Sequence, residues 1–396
     1  MKLLFVVNNF NFGGPQKSLV NLFYELKSND VKIDLMILNQ QDKLTHYIPD
    51  YVNVIQVPSK YSLLILDKSN LFTNMMRNLN KPLLILKTLI FVIKSQLKLQ
   101  DNTKSKQKFW IKNKWNDEDF TKHYDFAVGV SGGHSVYFIE DYIKANHKIG
   151  WIRTDYKVLK RDHQLDKQYF EKMDGMIAVS NMTAESFEKI FNITPYVYYN
   201  SLPIKLYENI DSEDFDTDFN YMNLCTICRL DNDKGLDLLV EAAKILKNQE
   251  IKFKWYIVGT GKLEEWLKEE IRKNGLEKLV LPIGFKFNTG NILKKMDVLV
   301  HPSRFEGKSN TIDEALYYEI PIVATNFATV YEQIINGENG FITNMNGSEI
   351  AKKIIELYED KQIYTKIKNN LHNNRIIPKD KGEEFINLLG RIGDNK

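Results

Sequence analysis

The stretch Met296–Leu316, "MDVLVHPSRFEGKSNTIDEAL", runs from apolar residues through a polar loop into a helical pattern, and "PIVATN", Pro321–Asn326, follows closely. A short apolar run, a helix and a second short apolar run form a βαβ unit, which places two parallel strands in one sheet. The loop between them is unusual. Glu306 and Glu314 enclose glycine, lysine, serine, asparagine and threonine. Ser309 or Asn310 as a helix cap, with acids favoured at the positive helix end, explains part of this composition. A plain connector needs a turn residue and a cap, not this density of hydrogen-bonding groups.

The same alternation extends in both directions. The first half offers the strand-like runs "KLLFVVNN", "KIDLMILN", "VNVIQVP", "DFAVGVS", "HKIGWIR", "GMIAVS" and "YVYYNS". The second offers "MNLCTICRL", "FKWYIVG", "KLVLPIGF", "MDVLVHPS", "PIVATN" and "GFITN". Near-continuous apolar strands separated by helices predict α/β architecture, with parallel sheets covered on both faces. A chain of 396 residues is too long for one core. The acid-rich "KLYENIDSEDFDTDFNY", Lys205–Tyr221, reads as a linker. The expected organisation is a Rossmann-like domain over 1–204, a linker over 205–221 and a second such domain over 222–378. A C-terminal helix over 379–396, containing "GEEFINLLGRI", would pack back on the first domain. Two doubly wound sheets facing across a crevice would bind ligands at the carboxyl ends of their strands.

Composition narrows the function. The chain is 43% apolar and 27% charged, as in soluble globular proteins, and its net charge of +3 argues against a dedicated nucleic-acid binder. Cys225 and Cys228, in "LCTICRL", are the only cysteines and lie three apart in a strand-like run, on opposite faces, so they read as core thiols. "MKLLFVV" lacks the pattern of a signal peptide, and no apolar run reaches the length of a membrane span, so a cytoplasmic location is expected.

A segment of about 59–120 breaks the rhythm as a helical insertion. Between Thr73 and Trp115 stand ten basic residues, from Arg77 and Lys81 to Lys112 and Lys114, with Asp101 as the only acid. This predicts a peripheral contact with anionic membrane, Trp110 and Trp115 lying near the interface, electrostatic and therefore lost in high salt. The alternative is a solvated helical insertion.

Chemistry-bearing residues cluster elsewhere. "TICRLDNDKGLDLLVEA" places Arg229 and Lys234 after a strand and before a helix, a donor fork and a compact charge suited to a diphosphate. Asp231 and Asp233 mimic a metal-binding D-x-D, but their basic neighbours make surface acids the better reading, and no metal site is expected. "YIVGTGKLEEWL" has Glu264 where a dinucleotide fingerprint needs its third glycine, so Gly259 and Gly261 mark a tight turn. Gly13 and Gly14 leave the first strand into a helix, where backbone without Cβ atoms can approach an anion.

The order of these motifs, a Gly-Gly turn, "RLDNDKG", V-G-x-G and "HPSRFEGKSNTIDEAL", resembles the retaining glycosyltransferases of family 4, with the GT-B fold. The resemblance covers essentially the whole chain. It implies that Arg229 and Lys234 hold the diphosphate of a nucleotide sugar, a UDP-sugar foremost, and that Glu306 faces the sugar hydroxyls. The backbone of Gly307, Ser309, Asn310 and Thr311 would serve sugar and phosphates, Glu314 the ribose, Gly284 and Phe285 the base, and Gly13 and Gly14 the donor. No cofactor or metal is implied. The acceptor would be lipid-linked or polymeric, as in capsule and cell-wall polymer synthesis at the inner face of a bacterial membrane.

One position departs from the pattern. "GWIRTDY" carries Arg153 where some polymer-building members have histidine, with Asp155 intact. Arg153 would then bind a phosphate or carboxylate, and His134, in "VSGGHSVYF", is a candidate replacement, although a loop histidine without a role is the better reading. The competing functions are a nucleotide-sugar epimerase of the same architecture and a catalytically inactive scaffold.

Overall fold

The structure, a computed structural model, describes residues 1–10, 13–27, 30–39, 44–67, 70–115, 119–210, 215–377 and 380–394. Within these, all the apolar runs named above contribute strands. β1 (Lys2–Val7), β2 (Lys32–Ile37), β3 (Val52–Gln56), β4 (His123–Val130), β5 (Lys144–Ile152), β6 (Gly175–Ala178) and β7 (Tyr196–Val197) form one parallel sheet in the order β3-β2-β1-β4-β5-β6-β7. β8 (Met222–Ile227), β9 (Phe253–Val258), β10 (Val280–Gly284), β11 (Val298–His301), β12 (Ile322–Thr325) and β13 (Gly340–Thr343) form a second, in the order β10-β9-β8-β11-β12-β13. The βαβ unit read first is β11 and β12, paired Leu299 to Ile322, with the helix Asn310–Tyr317 between them.

Both sheets reverse direction at an internal strand. β1 lies between β2 and β4, and β8 lies between β9 and β11. Successive loops therefore diverge at the carboxyl ends of β1 and β4, and of β8 and β11, which is where open α/β sheets bind ligands.

The chain divides into a unit of Met1–Asn200 with Asp380–Lys396 and a unit of Ser201–Lys379. The helix Lys381–Asp394 belongs to the first unit because Phe385 is fully buried there, stacked on Phe5 and Trp151 with ring centroids 5.8 and 5.4 Å apart. Gly175 gives it room: a Cβ there would sit 2.9 Å from Ile392. The expected linker is corrected at its start. Ile204–Glu208 is a helical turn of the second unit, with Leu206 and Tyr207 buried. Residues 211–214 of the expected linker lie outside the described residues.

Among the described residues the insertion between β3 and β4 holds the helices Ser59–Ile65, Leu71–Met76, Pro82–Gln96 and Asn102–Asn113. Asp101 caps the last, accepting from the backbone N–H of Thr103 and Lys104 at 2.9 and 3.1 Å. The expected interfacial position of Trp110 is wrong. It is fully buried, and its indole N–H donates to Asp141 at 2.8 Å. Cys225 is buried in β8, and burial pushes both thiols up, Cys228 to about 12.

Candidate active site

The loops leaving β8 and β11 are locked together by one glycine. Gly235 follows a single helical turn, Asn232–Lys234, and has φ +63°; a Cβ there would lie 2.0 Å from the carbonyl oxygen of Pro302. Any other residue would push the loops apart. Held this way, Lys234 places its Nζ 2.9 Å from Glu306 Oε1 and 3.3 Å from Asp233. The same Glu306 oxygen accepts from Ser303 Oγ at 3.0 Å and lies 3.3 Å from His301 Nε2. Thr329 fixes the backbone by donating to the Glu306 carbonyl at 3.0 Å.

Burial works against the charge on Glu306, but the His301 hydrogen bond and the Lys234 ammonium outweigh it and hold the carboxyl at about 2. Lys234 is likewise opposed by burial yet raised by Glu306. The pair is therefore ionised across the neutral range. Arg229, whose side chain is 60% exposed, pairs with Asp231. Both acids of the D-x-D pattern thus hold a cation.

Gly307 is buried beside this pair and leads into the helix Asn310–Tyr317. Ser309 is its cap, accepting from the Ile312 N–H at 3.4 Å. Gln333 clamps the cap from both sides: its Oε1 accepts from the Ser309 N–H at 3.0 Å, and its Nε2 donates to the Ser309 carbonyl at 2.8 Å. Lys308 pairs with Asp313. Asn310 and Thr311 open the helix, and Thr311 Oγ1 reaches the carbonyl of Ile227 at the end of β8 at 3.5 Å. One turn on, Glu314 is buried and accepts from Tyr207 at 2.8 Å and Thr289 at 2.5 Å. Gly284 closes β10 at φ +72°, with Phe285 and Phe287 beyond it, ring centroids 6.3 Å apart.

The structure thus gathers Lys234, Glu306 and the start of the helix at the ends of β8 and β11, with Arg229 on the same loop and Gly284 and Phe285 further along the sheet. Sequence reasoning missed His301, Gln333, Thr289 and Tyr207. Only His301 had a local signal, a histidine closing an apolar strand.

In the first unit the named residues fall in four environments. Gly13 precedes the helix Gly14–Leu26 with extended backbone, φ 178°, and the nearest atom that a Cβ there would meet is the flexible end of Gln16, at 2.8 Å. Arg153 is buried after β5. Its Nη2 donates to Ser18, in that helix, and to Asn200, and its guanidinium lies 4.4 Å from the Trp151 ring centroid. Nε and Nη1 have no partner among the described residues, and burial pulls its pKa down to about 9. Asp155 caps a helical turn, accepting from the Lys157 N–H at 3.0 Å and from Ser186 Oγ at 2.6 Å.

His134 is not in a loop. It begins the helix His134–Tyr142, buried with ring centroids 5.5 Å from both Trp110 and Tyr137. Burial first, then Arg161 and Lys106, push its pKa down from 6.5 to about 3. The folded state holds it neutral, so its contribution is present above pH 6.5 and is lost as pH falls toward 3, at about 1.4 kcal/mol per pH unit. His134→Gln is expected to remove this slope. Urea midpoints at about pH 7 and 5 should separate less in the variant than in the wild type, and an equal separation would place the titration elsewhere.

Comparison with known proteins bears on the fold and on the second unit. Residues 210–374 match the family "Glycosyl transferases group 1". An uncharacterised glycosyltransferase of Methanocaldococcus jannaschii is 25% identical over 61% of this chain and 65% of its own length. The capsular polysaccharide biosynthesis glycosyltransferase CapM of Staphylococcus aureus is 29% identical over 36% of this chain and 38% of its own. The poly(ribitol-phosphate) alpha-N-acetylglucosaminyltransferase of the same species is 26% identical over 40% and 33%. The matched stretches thus cover less than two thirds of these relatives' lengths. Among solved structures, Anabaena HepE in complex with UDP-glucose superposes with TM-score 0.65 at 17% identity, over 100% of this chain and 99% of that one. A mutant of S. aureus TarM in complex with UDP gives 0.65 at 15%, over 98% and 100%. Residues 210–374, which hold Arg229, Lys234, Glu306 and the helix start, match the group 1 glycosyl transferases, and the chain as a whole has the GT-B fold.

Proposed function

We propose that this protein is a retaining, metal-independent glycosyltransferase. It moves a sugar from a nucleotide-diphosphate sugar, a UDP-sugar, to a lipid-linked or polymeric acceptor in bacterial surface polysaccharide or cell-wall glycopolymer synthesis. It works as a peripheral protein on the inner face of the membrane. The observation that carries this reading is the ionised Lys234–Glu306 pair beside the helix start at the ends of β8 and β11. CapM and the poly(ribitol-phosphate) enzyme, whose names state polymer synthesis, support the acceptor class.

In transfer, the bond from the anomeric carbon to the diphosphate oxygen breaks and its electron pair leaves with the diphosphate. The acceptor oxygen bonds to the same carbon, and its proton passes to the departing phosphate oxygen. Lys234 and Arg229 supply positive charge where negative charge grows, which stabilises the transition state more than the ground state. Glu306 stays ionised and accepts hydrogen bonds from the sugar hydroxyls. Glu314, already an acceptor for two hydroxyls, takes the ribose. Ion-pairing of Asp231 and Asp233 with those cations supports a diphosphate site without metal. On the acceptor side, Arg153, a buried cation with unpaired N–H groups, receives an anionic group such as a polymer phosphate.

Incubation with a panel of nucleotide sugars is expected to release nucleoside diphosphate slowly from one of them, at an unchanged rate in excess chelator. Interconversion of sugars would identify an epimerase, and no reaction a scaffold. Loss of turnover in chelator, restored by Mg²⁺ or Mn²⁺, would overturn the metal-free mechanism.

A further inference from the structure

The helix Pro82–Gln96 is apolar on two sides. Leu84, Thr88 and Phe91 are buried, at the spacing of one helical face. On the opposite side Leu83, Leu86, Ile90 and Ile93 are 43–64% exposed, and Phe72, Leu79 and Leu97 extend the surface at 62–75%. Ten of the nineteen exposed large apolar side chains among the described residues fall between Phe72 and Leu99, so the exposure is concentrated on this insertion. Helices apolar all round are normally covered, and contiguous apolar patches mark interaction sites. No described helix is long and apolar enough to cross a membrane.

Charge says what covers this face. The ten basic residues between Thr73 and Trp115, against Asp101 alone, would confront one another across a self-interface but complement an anionic surface. Beside the exposed face an open pocket of about 370 Å³ is lined by Lys81, Lys87, Lys112, Lys114, Leu83 and Trp115, and by no acid. Lys114 is neutralised by Asp141 at 2.6 Å. Lys87 donates to Asn113 at 2.8 Å, and Lys81 lies 4.6 Å from the Trp115 ring centroid. Among the described residues no carboxylate pairs with Lys81, Lys87 or Lys112.

We propose that the insertion is a phospholipid-docking site. The outer face of Pro82–Gln96 enters the acyl boundary of the bilayer, and the lysine cavity takes the phosphate of an anionic phospholipid headgroup. This rests on the peripheral-membrane reading above and changes its physics. Apolar contact is not screened, so salt weakens the binding without abolishing it.

The test is flotation of the full chain, without donor, on phosphatidylcholine vesicles with and without phosphatidylglycerol. The wild type is expected to bind the anionic vesicles far more tightly than the neutral ones at low salt and to retain a bound fraction at about 1 M salt, where the Debye length is about 3 Å. The variant Leu86→Gln/Ile90→Gln/Ile93→Gln, altered only at exposed positions, should lose at least about tenfold of that salt-resistant binding. Lys81→Gln/Lys87→Gln/Lys112→Gln should lower low-salt partitioning about a hundredfold, near fivefold per charge. Lys94→Gln/Lys98→Gln/Lys104→Gln, an equal charge change off the cavity, should lower it less. Equal losses would overturn the headgroup cavity. Unchanged salt-resistant binding in the apolar variant would overturn insertion while leaving a membrane contact standing. A concentration-dependent oligomer dissolved by the apolar variant would make the face a self-interface. A wild type that ignores anionic vesicles would overturn both the docking site and the peripheral location.

Discussion

Lys234→Ala is expected to lower sugar transfer by about 10²–10³-fold, the usual cost of removing one fixed donor from a centre of developing charge. Arg229→Ala should fall in the same range, yet the two should differ in stability. Arg229 is 60% exposed and paired only at the surface, so its loss should leave the melting temperature unchanged. Lys234 is 13% exposed and neutralises Glu306, so its loss strands a carboxylate. Glu314→Gln provides the contrast: a ribose contact is made almost equally in ground and transition states, so KM should rise with kcat little changed. Steady-state kinetics and thermal melts on the variants decide the matter. A normal rate in Arg229→Ala and Lys234→Ala, with a depressed kcat in Glu314→Gln, would mean that the diphosphate lies elsewhere.

Glu306→Gln is expected to destabilise the second unit by about 3 kcal/mol, the lower end for breaking a buried ion pair, because its side chain keeps 19% exposure. For a unit of this size that is about 6–12 °C in Tm. The pH dependence provides an independent check. The folded pKa of about 2 lies below the ordinary 4.5, so the stabilisation is complete above pH 4.5 and is lost as pH falls toward 2. The Tm difference between wild type and variant should therefore be constant near neutrality and shrink below about pH 4.5. A difference that persists unchanged at acid pH would mean that the glutamine perturbs packing rather than charge.

The sheets were legible because parallel strands buried on both faces leave continuous apolar runs, and each such run from "KLLFVVNN" to "GFITN" is a strand. The candidate site was legible for the opposite reason: Glu306, Lys234 and the capped helix sit in polar stretches that strand and helix rules leave unexplained. What escaped is non-local. Gln333 clamps Ser309 from 24 residues away, and nothing in either segment points to the other. Tyr207 lay in a stretch whose acids dominated its reading, although its hydroxyl reaches Glu314 from 107 residues away. In the insertion, charge was read and exposure was not. A helix apolar on two sides gives no periodicity to say which side is inside, so Trp110 was placed at the interface and the outward leucines went unnoticed.

The return of Lys381–Asp394 to the first unit bears on how the protein is made. Phe385 fills a slot bounded by Phe5, Trp151 and Tyr198, residues synthesised long before it, while residues 201–379 emerge in between. On a nascent chain the first sheet therefore waits with an aromatic gap in its core, and the second sheet has all its strands before the first is sealed. Order of synthesis and order of completion are reversed: the unit begun first is finished last.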